Sequence, residues 1–216
     1  MSRKSVFYIA FFAVLVVAFY FTMSWAIPGF SSVKLPVLSY VGNFQLTNQD
    51  GQAVDNKSME GKVYVAEYFY TSCKSICPYM NGNMRTVYEK FKHDPGFLIL
   101  SFTSDPVTDS AGRLKWYADS LKVDTKHWWF ITGRKDSLYN LARNGYKLDD
   151  PQNNLKDIND QFIHTQLWAL VDKSGRVRKY YDGLKKEEVL ELTKDIGTLL
   201  KEPADQKLIG NNLTGN

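Results

Sequence analysis

The sequence predicts one α/β domain, a mixed central sheet flanked by helices, carried behind an N-terminal transmembrane helix. Three observations predict it. The first residues form a long uncharged apolar run. The rest alternates β-branched and aromatic runs with segments of helical periodicity. Near the C-terminus two strand-like runs are joined by a turn, which adds antiparallel pairing. Of 216 residues, 44% are hydrophobic and 23% charged, a globular mixture that excludes a disordered, collagenous or mucin-like chain. Two cysteines are too few for a disulfide-stapled scaffold. The 27 basic residues are nearly balanced by 23 acidic ones, for a net charge of +4. No basic run stands out, so no nucleic-acid partner is expected.

Residues 1–5 contain Arg3 and Lys4, and the next charge is Lys34. Between them Phe7, Ile9, Phe11, Phe12, Val14, Leu15, Val16, Val17, Phe19 and Phe21 point all round a helix, which suits lipid and not the surface of a soluble domain. At ~1.5 Å per residue the span 6–27 reaches roughly 33 Å, enough for a ~30 Å hydrocarbon core. A cleaved signal peptide is the competing reading, with Ser24-Trp25-Ala26 as a weak site. The run is longer than a signal core of ~7–15 residues, and Trp25 sits where an interfacial anchor would. An uncleaved anchor is therefore expected. The basic residues ahead of it keep the N-terminus cytoplasmic in an inner (cytoplasmic) membrane and export the rest.

Residues 28–42 read as a linker and 43–201 as the folded domain. Asn43-Phe44-Gln45-Leu46 alternates, Asn48-Gln49-Asp50-Gly51 turns and Ala53-Val54 resumes, a hairpin signal. The β-branched and aromatic run 63–70 is a central strand, and 97–102 and 128–131 are two more. Helices are expected over 78–91 and 109–121, with apolar residues at helical spacing, and over 136–146. A polar insertion covers 148–161. Strand 165–171, the turn Asp172-Lys173-Ser174-Gly175 and strand 177–181 close a second hairpin. A helix over 185–201 follows, and 202–216 is a polar tail. Helices separate the early strands, so these should be parallel. The whole order is that of a thioredoxin-like domain with an insertion before the last hairpin.

Cys73 and Cys77 lie between the first central strand and the helix that Pro78 opens. A helix N-terminus and the neighbouring Lys74 both favour a thiolate. Two close thiolates can form a redox-active disulfide or clamp a soft metal such as copper. A structural disulfide is the plainer reading, but so small a loop would add little stability. Zinc fits poorly, because a closed zinc site takes four ligands. Of three histidines, His93 and His127 read as ordinary polar positions. His164 lies at the start of a strand which, in a thioredoxin-like sheet, faces the start of the cysteine helix. With the two thiolates it would complete an S,S,N set suited to copper. Thioredoxins place a cis-proline in that region, and this chain has none there.

These residues resemble the Sco/SenC family of thioredoxin-like, copper-binding membrane proteins. The resemblance is carried by the anchor, by Phe69-Tyr70-Thr71-Ser72-Cys73-Lys74-Ser75-Ile76-Cys77-Pro78, and by Thr103-Ser104-Asp105-Pro106-Val107-Thr108-Asp109. Trp129-Phe130-Ile131-Thr132-Gly133 and Phe162-Ile163-His164-Thr165 complete it. One departure is Lys74, where the family has proline. The resemblance implies that Cys73, Cys77 and His164 bind copper, as Cu(I) or Cu(II), with Asp105 near the site. It implies a partner in the CuA subunit of cytochrome c oxidase, or another copper or thiol protein, and a metallochaperone in place of a conventional enzyme. Met80 could offer a thioether, though its spacing with Met84 and Val87 marks it as core. Two other functions stay open: a thiol–disulfide reductase using Cys73 and Cys77 alone, and a peroxiredoxin-like peroxidase working through a sulfenic acid.

Overall fold

The computed structural model describes residues 2–26, 35–154 and 157–204. The chain divides into two units, Met1–Leu35 and Pro36–Asn216. In the first, a helix α1 (Arg3–Ala26) runs through the apolar segment. Its residues Arg3–Trp25 are long and apolar enough to cross a membrane, and none of that window is buried. The expected end of the anchor at Ile27, the linker through Lys34 and the tail beyond Ala204 lie outside the described residues.

In the second unit eight strands form one sheet in the order β1-β8-β7-β4-β5-β6-β2-β3. They are β1 (Ser39–Tyr40), β2 (Gln45–Asn48), β3 (Ala53–Asp55), β4 (Val63–Phe69), β5 (Phe97–Thr103), β6 (Trp128–Thr132), β7 (Leu167–Val171) and β8 (Arg176–Asp182). The three strands expected to be parallel are so: β4 pairs with β5 and β5 with β6. The last hairpin is antiparallel, and β7 joins it to β4. The first hairpin, β2–β3, extends the opposite edge by pairing antiparallel with β6. Strand β1 pairs with β8 at Ser39–Val177 and Tyr40–Arg176. The sheet thus takes up the last part of the stretch expected to be linker, because an open edge of β8 offers it hydrogen bonds.

Every residue of β4 and of β5 is buried, as their near-continuous apolar runs require of strands covered on both faces. One face packs Tyr64, Ala66, Tyr68, Leu100 and Phe102 against Leu138, Tyr139 and Tyr146. The other carries α2 (Cys77–Phe91), α3 (Ala111–Leu121) and α5 (Lys186–Lys201). There Phe91 meets Phe97, Tyr88 meets Trp128, and Tyr117 stacks on Phe69. Met80 and Met84 are buried at 1% and 0% exposure, core residues as their spacing indicated. Each large side chain so buried contributes about 1.5–3 kcal/mol of transfer free energy.

The helix expected over 136–146 is shorter. An α-helix α4 (Lys135–Asn140) passes into a π turn over Leu141–Gly145. There the Tyr146 N–H reaches the Leu141 carbonyl at 2.9 Å and the Leu148 N–H reaches that of Ala142 at 2.8 Å. The wider turn lets Leu141, Ala142, Tyr146 and Leu148 all enter the core. In the polar insertion two short 3-10 turns, Pro151–Asn154 and Ile158–Asp160, are described. Strand β7 begins at Leu167, two residues later than expected, so His164 precedes it outside any regular element.

Candidate functional site

The site is built where β4 runs out. After Phe69 the chain turns, with the Cys73 N–H donating to the Tyr70 carbonyl at 3.2 Å, and α2 starts at Cys77 with Pro78 in its first turn. Proline there gives up only an N–H that the first turn leaves unpaired. Ile76, ahead of the helix, provides no side-chain cap. The Cys73 sulfur lies just before the helix, 3.8 Å from the Ser75 hydroxyl.

Both cysteines are free thiols, Cys73 at 9% exposure and Cys77 at 4%. They titrate in opposite directions. Burial works against the Cys73 thiolate, but hydrogen bonds from the Cys77 thiol, from the Cys77 and Ser75 backbone N–H groups and from the Tyr70 hydroxyl outweigh it and bring Cys73 down to about 7. Burial comes first for Cys77 as well, and the negative Cys73 adds to it, pushing Cys77 up to about 12. Cys73 is thus the thiolate of the pair at neutral pH and Cys77 its proton-bearing partner. The Tyr70 hydroxyl, bonded to Cys73, is raised in turn. Lys74 is exposed.

The cysteine loop is held from below by Asp109, which is fully buried. Its carboxylate accepts from the Thr71 N–H at 3.0 Å, the Thr71 hydroxyl at 2.5 Å and the Thr103 hydroxyl at 2.6 Å. Arg113 Nε donates to Thr71 Oγ1 at 3.2 Å. The Ser104 N–H donates to the Phe69 carbonyl at 2.7 Å and joins the end of β5 to the end of β4. Asp105, the expected neighbour of the site, directs its carboxylate to its own turn, accepting from the Thr108 N–H at 3.3 Å. The family resemblance pointed to Asp105, whereas the carboxylate that reaches the cysteine loop, Asp109, lies four residues later.

A second buried carboxyl, Glu67, faces the α2 side of β4. It accepts from Ser101 Oγ at 2.6 Å, and Trp128 Nε1 donates to the same Ser101 at 2.8 Å. Its Oε2 has no hydrogen-bond partner of good geometry, nor does the buried Trp168 Nε1. Burial pushes the Glu67 carboxyl up to about 7, against the Ser101 hydrogen bond and the pull of the Trp168 indole. A lone Glu inside Val63-Tyr64-Val65-Ala66-Glu67-Tyr68-Phe69-Tyr70 is the signal that could have found it, since a carboxyl is seldom buried without a reason.

His164 is exposed. Two residues before it, Phe162 packs edge-on against Tyr70 with ring centroids 5.0 Å apart, so the His164 segment runs beside the residue that bonds Cys73. The two thiols are brought together and the imidazole stays outside them. Among the described residues no three His, Cys, Asp or Glu side chains converge as a metal site would need. Two thiols and an imidazole are nonetheless the donor types that copper prefers. His93 is exposed and His127 half-buried.

A family model, SCO1/SenC, matches residues 34–201. The SCO1 protein homolog of Bacillus subtilis is 30% identical over 172 residues, covering 78% of this chain and 86% of that one. BsSco, described as a member of the Sco family of cytochrome c oxidase assembly proteins with a disulfide switch, superimposes with TM-score 0.67 at 29% identity over 80% of this chain and all of that one. A copper-bound structure of Bradyrhizobium japonicum ScoI shares the fold with TM-score 0.56, at 24% identity over 75% of this chain and all of that one. With thioredoxin-like topology, a CxxxC pair at the strand-to-helix junction and a family match across the whole folded domain, this chain belongs to the SCO1/SenC family.

Proposed function

We propose that the chain is a membrane-anchored copper-transfer protein for maturation of the CuA centre of cytochrome c oxidase. Cys73, Cys77 and His164 are its ligands, and copper is its cargo. The observation that carries this reading is the reduced, asymmetric thiol pair at the N-terminus of α2. One sulfur is ready as a thiolate and the other lies within hydrogen-bonding reach of it. The relatives support it, one as an oxidase assembly protein and one with copper bound. The apolar helix near the N-terminus supports anchoring, and Arg3 and Lys4 ahead of it favour a cytoplasmic N-terminus with the domain exported.

The chain's own residues do the following. Asp109 and Thr71 hold the loop so that the two sulfurs stay paired. Cys73 presents a thiolate, and copper binding displaces the Cys77 proton to solvent, since the ligand is the thiolate. His164 approaches from the segment before β7. Copper leaves when thiolates of a partner replace these ligands one at a time, with no change in its oxidation state.

A second reading is favoured by the opposite titration of the two thiols. The Cys73 thiolate attacks a partner disulfide, and one partner sulfur leaves and is protonated. The Cys77 thiolate then attacks Cys73 Sγ and the second partner sulfur leaves. The chain ends as a disulfide, oxidised by two electrons, and an external thiol must reduce it again.

The deciding experiment uses the full chain in detergent, fully reduced and loaded anaerobically with Cu(I) and separately with Cu(II), with metal counted after desalting. One copper retained per chain, and none in Cys73→Ser, is the expected result. No retained copper, together with a readily cycled Cys73–Cys77 disulfide, would overturn copper transfer in favour of thiol reduction.

A further inference from the structure

His164 is exposed and, among the described residues, does not converge with the thiols as a metal site would need, so its segment must be placed through its flanks. After His164, Gln166 is bonded to Gly183 and Asp182; before it, the buried tie is Tyr139. Tyr139, on α4, is fully buried. Its hydroxyl lies 3.0 Å from the Ser104 carbonyl and 3.1 Å from the Gln161 carbonyl, and it accepts from the Ile163 N–H at 3.3 Å. A phenol donates one hydrogen, so the two carbonyls share that donor while Ile163 uses the lone pair.

Those partners come from the two loops that flank the site. Ser104 follows β5, and its own N–H is bonded to Phe69, the last residue of β4 before the cysteine loop. Gln161 and Ile163 bracket Phe162, the residue whose ring meets Tyr70. A continuous path therefore runs from the end of β4 through Ser104 and the Tyr139 hydroxyl to the residue preceding His164. Around it, Lys135 Nζ donates to the Asn159 carbonyl at 3.0 Å and lies 5.2 Å from the Tyr139 ring centre. The Arg143 guanidinium lies 5.3 Å from the same ring. A phenylalanine would fill the core equally well, so what the hydroxyl adds is the link between the loops.

We propose that Tyr139 is a positioning residue for copper binding, whose hydroxyl fixes the His164 segment against the strand ends that carry the cysteine pair. This rests on the reading of His164 as the third ligand.

The test measures Cu(II) affinity by chelator competition, and nitrogen hyperfine coupling by electron paramagnetic resonance. It uses the reduced full chain in detergent and compares wild type, Tyr139→Phe, His164→Ala and the double variant. Residues that orient a metal ligand are worth about 10–100-fold in affinity, so Tyr139→Phe is expected to weaken copper about tenfold and to diminish the imidazole signature. The double variant is expected to bind no more weakly than His164→Ala, because the hydroxyl acts through the imidazole. A further loss in the double variant equal to that in Tyr139→Phe alone would mark a merely structural role and overturn the proposal. So would an unchanged Tyr139→Phe beside a weakened His164→Ala, which leaves the ligand reading intact. Wild-type affinity in His164→Ala removes the histidine from the site, and the proposal falls with it. If Tyr139→Phe does not fold, Lys135→Met loosens the same segment. It is expected to weaken copper by a smaller factor, and no change there counts against the proposal.

Discussion

The cysteine loop and the His164 segment face one another across the site, and they are held in opposite ways. The loop is pinned by a buried carboxylate with three donors from Thr71 and Thr103, and by the turn in which the Cys73 N–H donates to the Tyr70 carbonyl. The histidine segment is tied at its flanks, by the Tyr139 hydroxyl and the Phe162–Tyr70 ring contact before His164 and by Gln166 after it, whose carbonyl accepts from the Gly183 N–H at 2.8 Å and whose Nε2 donates to Asp182 at 2.8 Å, while the imidazole itself is in solvent. On the proposed copper-transfer reading the difference bears on both holding and release. A preorganised dithiol would supply affinity without reorganisation, while an exposed imidazole as third donor would leave first and open a position for an incoming ligand.

Breaking the pinned side should have the largest effect. Asp109→Asn keeps one acceptor oxygen but turns an NH2 group toward a buried donor, and leaving a buried polar group unsatisfied costs about 1–3 kcal/mol, more where a charge is involved. A loss of about 3 kcal/mol in urea unfolding of the full chain is expected. A loss below about 0.5 kcal/mol, the level of an ordinary surface change, would show that the loop does not depend on this carboxylate.

Much of this was legible beforehand for a physical reason. Strands β4 and β5 are apolar throughout because both their faces are covered, and the CxxxC pair followed by proline marks a strand-to-helix junction. The less legible parts depend on long-range contacts. Asp109 and Asp105 are both polar residues in one loop, and only the tertiary fold decides which of them reaches Thr71. Tyr139 lies inside a segment expected simply as helix, and nothing local shows that its hydroxyl meets Ser104 and Gln161. The π turn over Leu141–Gly145 likewise answers to core packing and not to helix propensity. His164 was singled out by its place before a strand expected from Thr165; β7 starts instead at Leu167, and the imidazole is exposed.

Glu67 tests whether the floor beneath the pinned side is set by charge. Its carboxyl ionises at 4.5 when free and at about 7 when buried. Between those values the folded chain holds a proton that the unfolded chain has released, so stability must fall as pH rises through that window. The contribution is complete below about 4.5 and lost above about 7. At about 1.4 kcal/mol per pKa unit the swing is on the order of 3 kcal/mol, and incomplete burial of charge in the ionised state would reduce it. Glu67→Gln keeps the shape without the titration. The difference in urea midpoint between wild type and Glu67→Gln should therefore shift toward the variant as pH is raised from 5 to 8. A pH-independent difference would remove the buried ionisation.

The smallest effect is expected at the ring contact on the histidine side. Phe162 is 51% exposed, and its ring partner among the described residues is Tyr70, at 5.0 Å and an interplanar angle of 87°. Such a pair is worth about 0.5–1.5 kcal/mol beyond area burial when fully buried, and half-exposure reduces it. Phe162→Ala should cost under about 1 kcal/mol in the same unfolding assay. Its consequence for the site is larger than its cost to the fold. Without the ring against it Tyr70 is less constrained, and the Tyr70 hydroxyl is one of the groups that bring Cys73 down to about 7. Weakening that bond raises the Cys73 thiol and lowers its thiolate fraction at neutral pH, so alkylation of Cys73 at pH 7 should slow by about twofold. An unchanged rate would mean that the two sides of the site do not communicate through the Phe162–Tyr70 contact. A stability loss as large as that of Asp109→Asn would mean that the histidine side is pinned as firmly as the cysteine side.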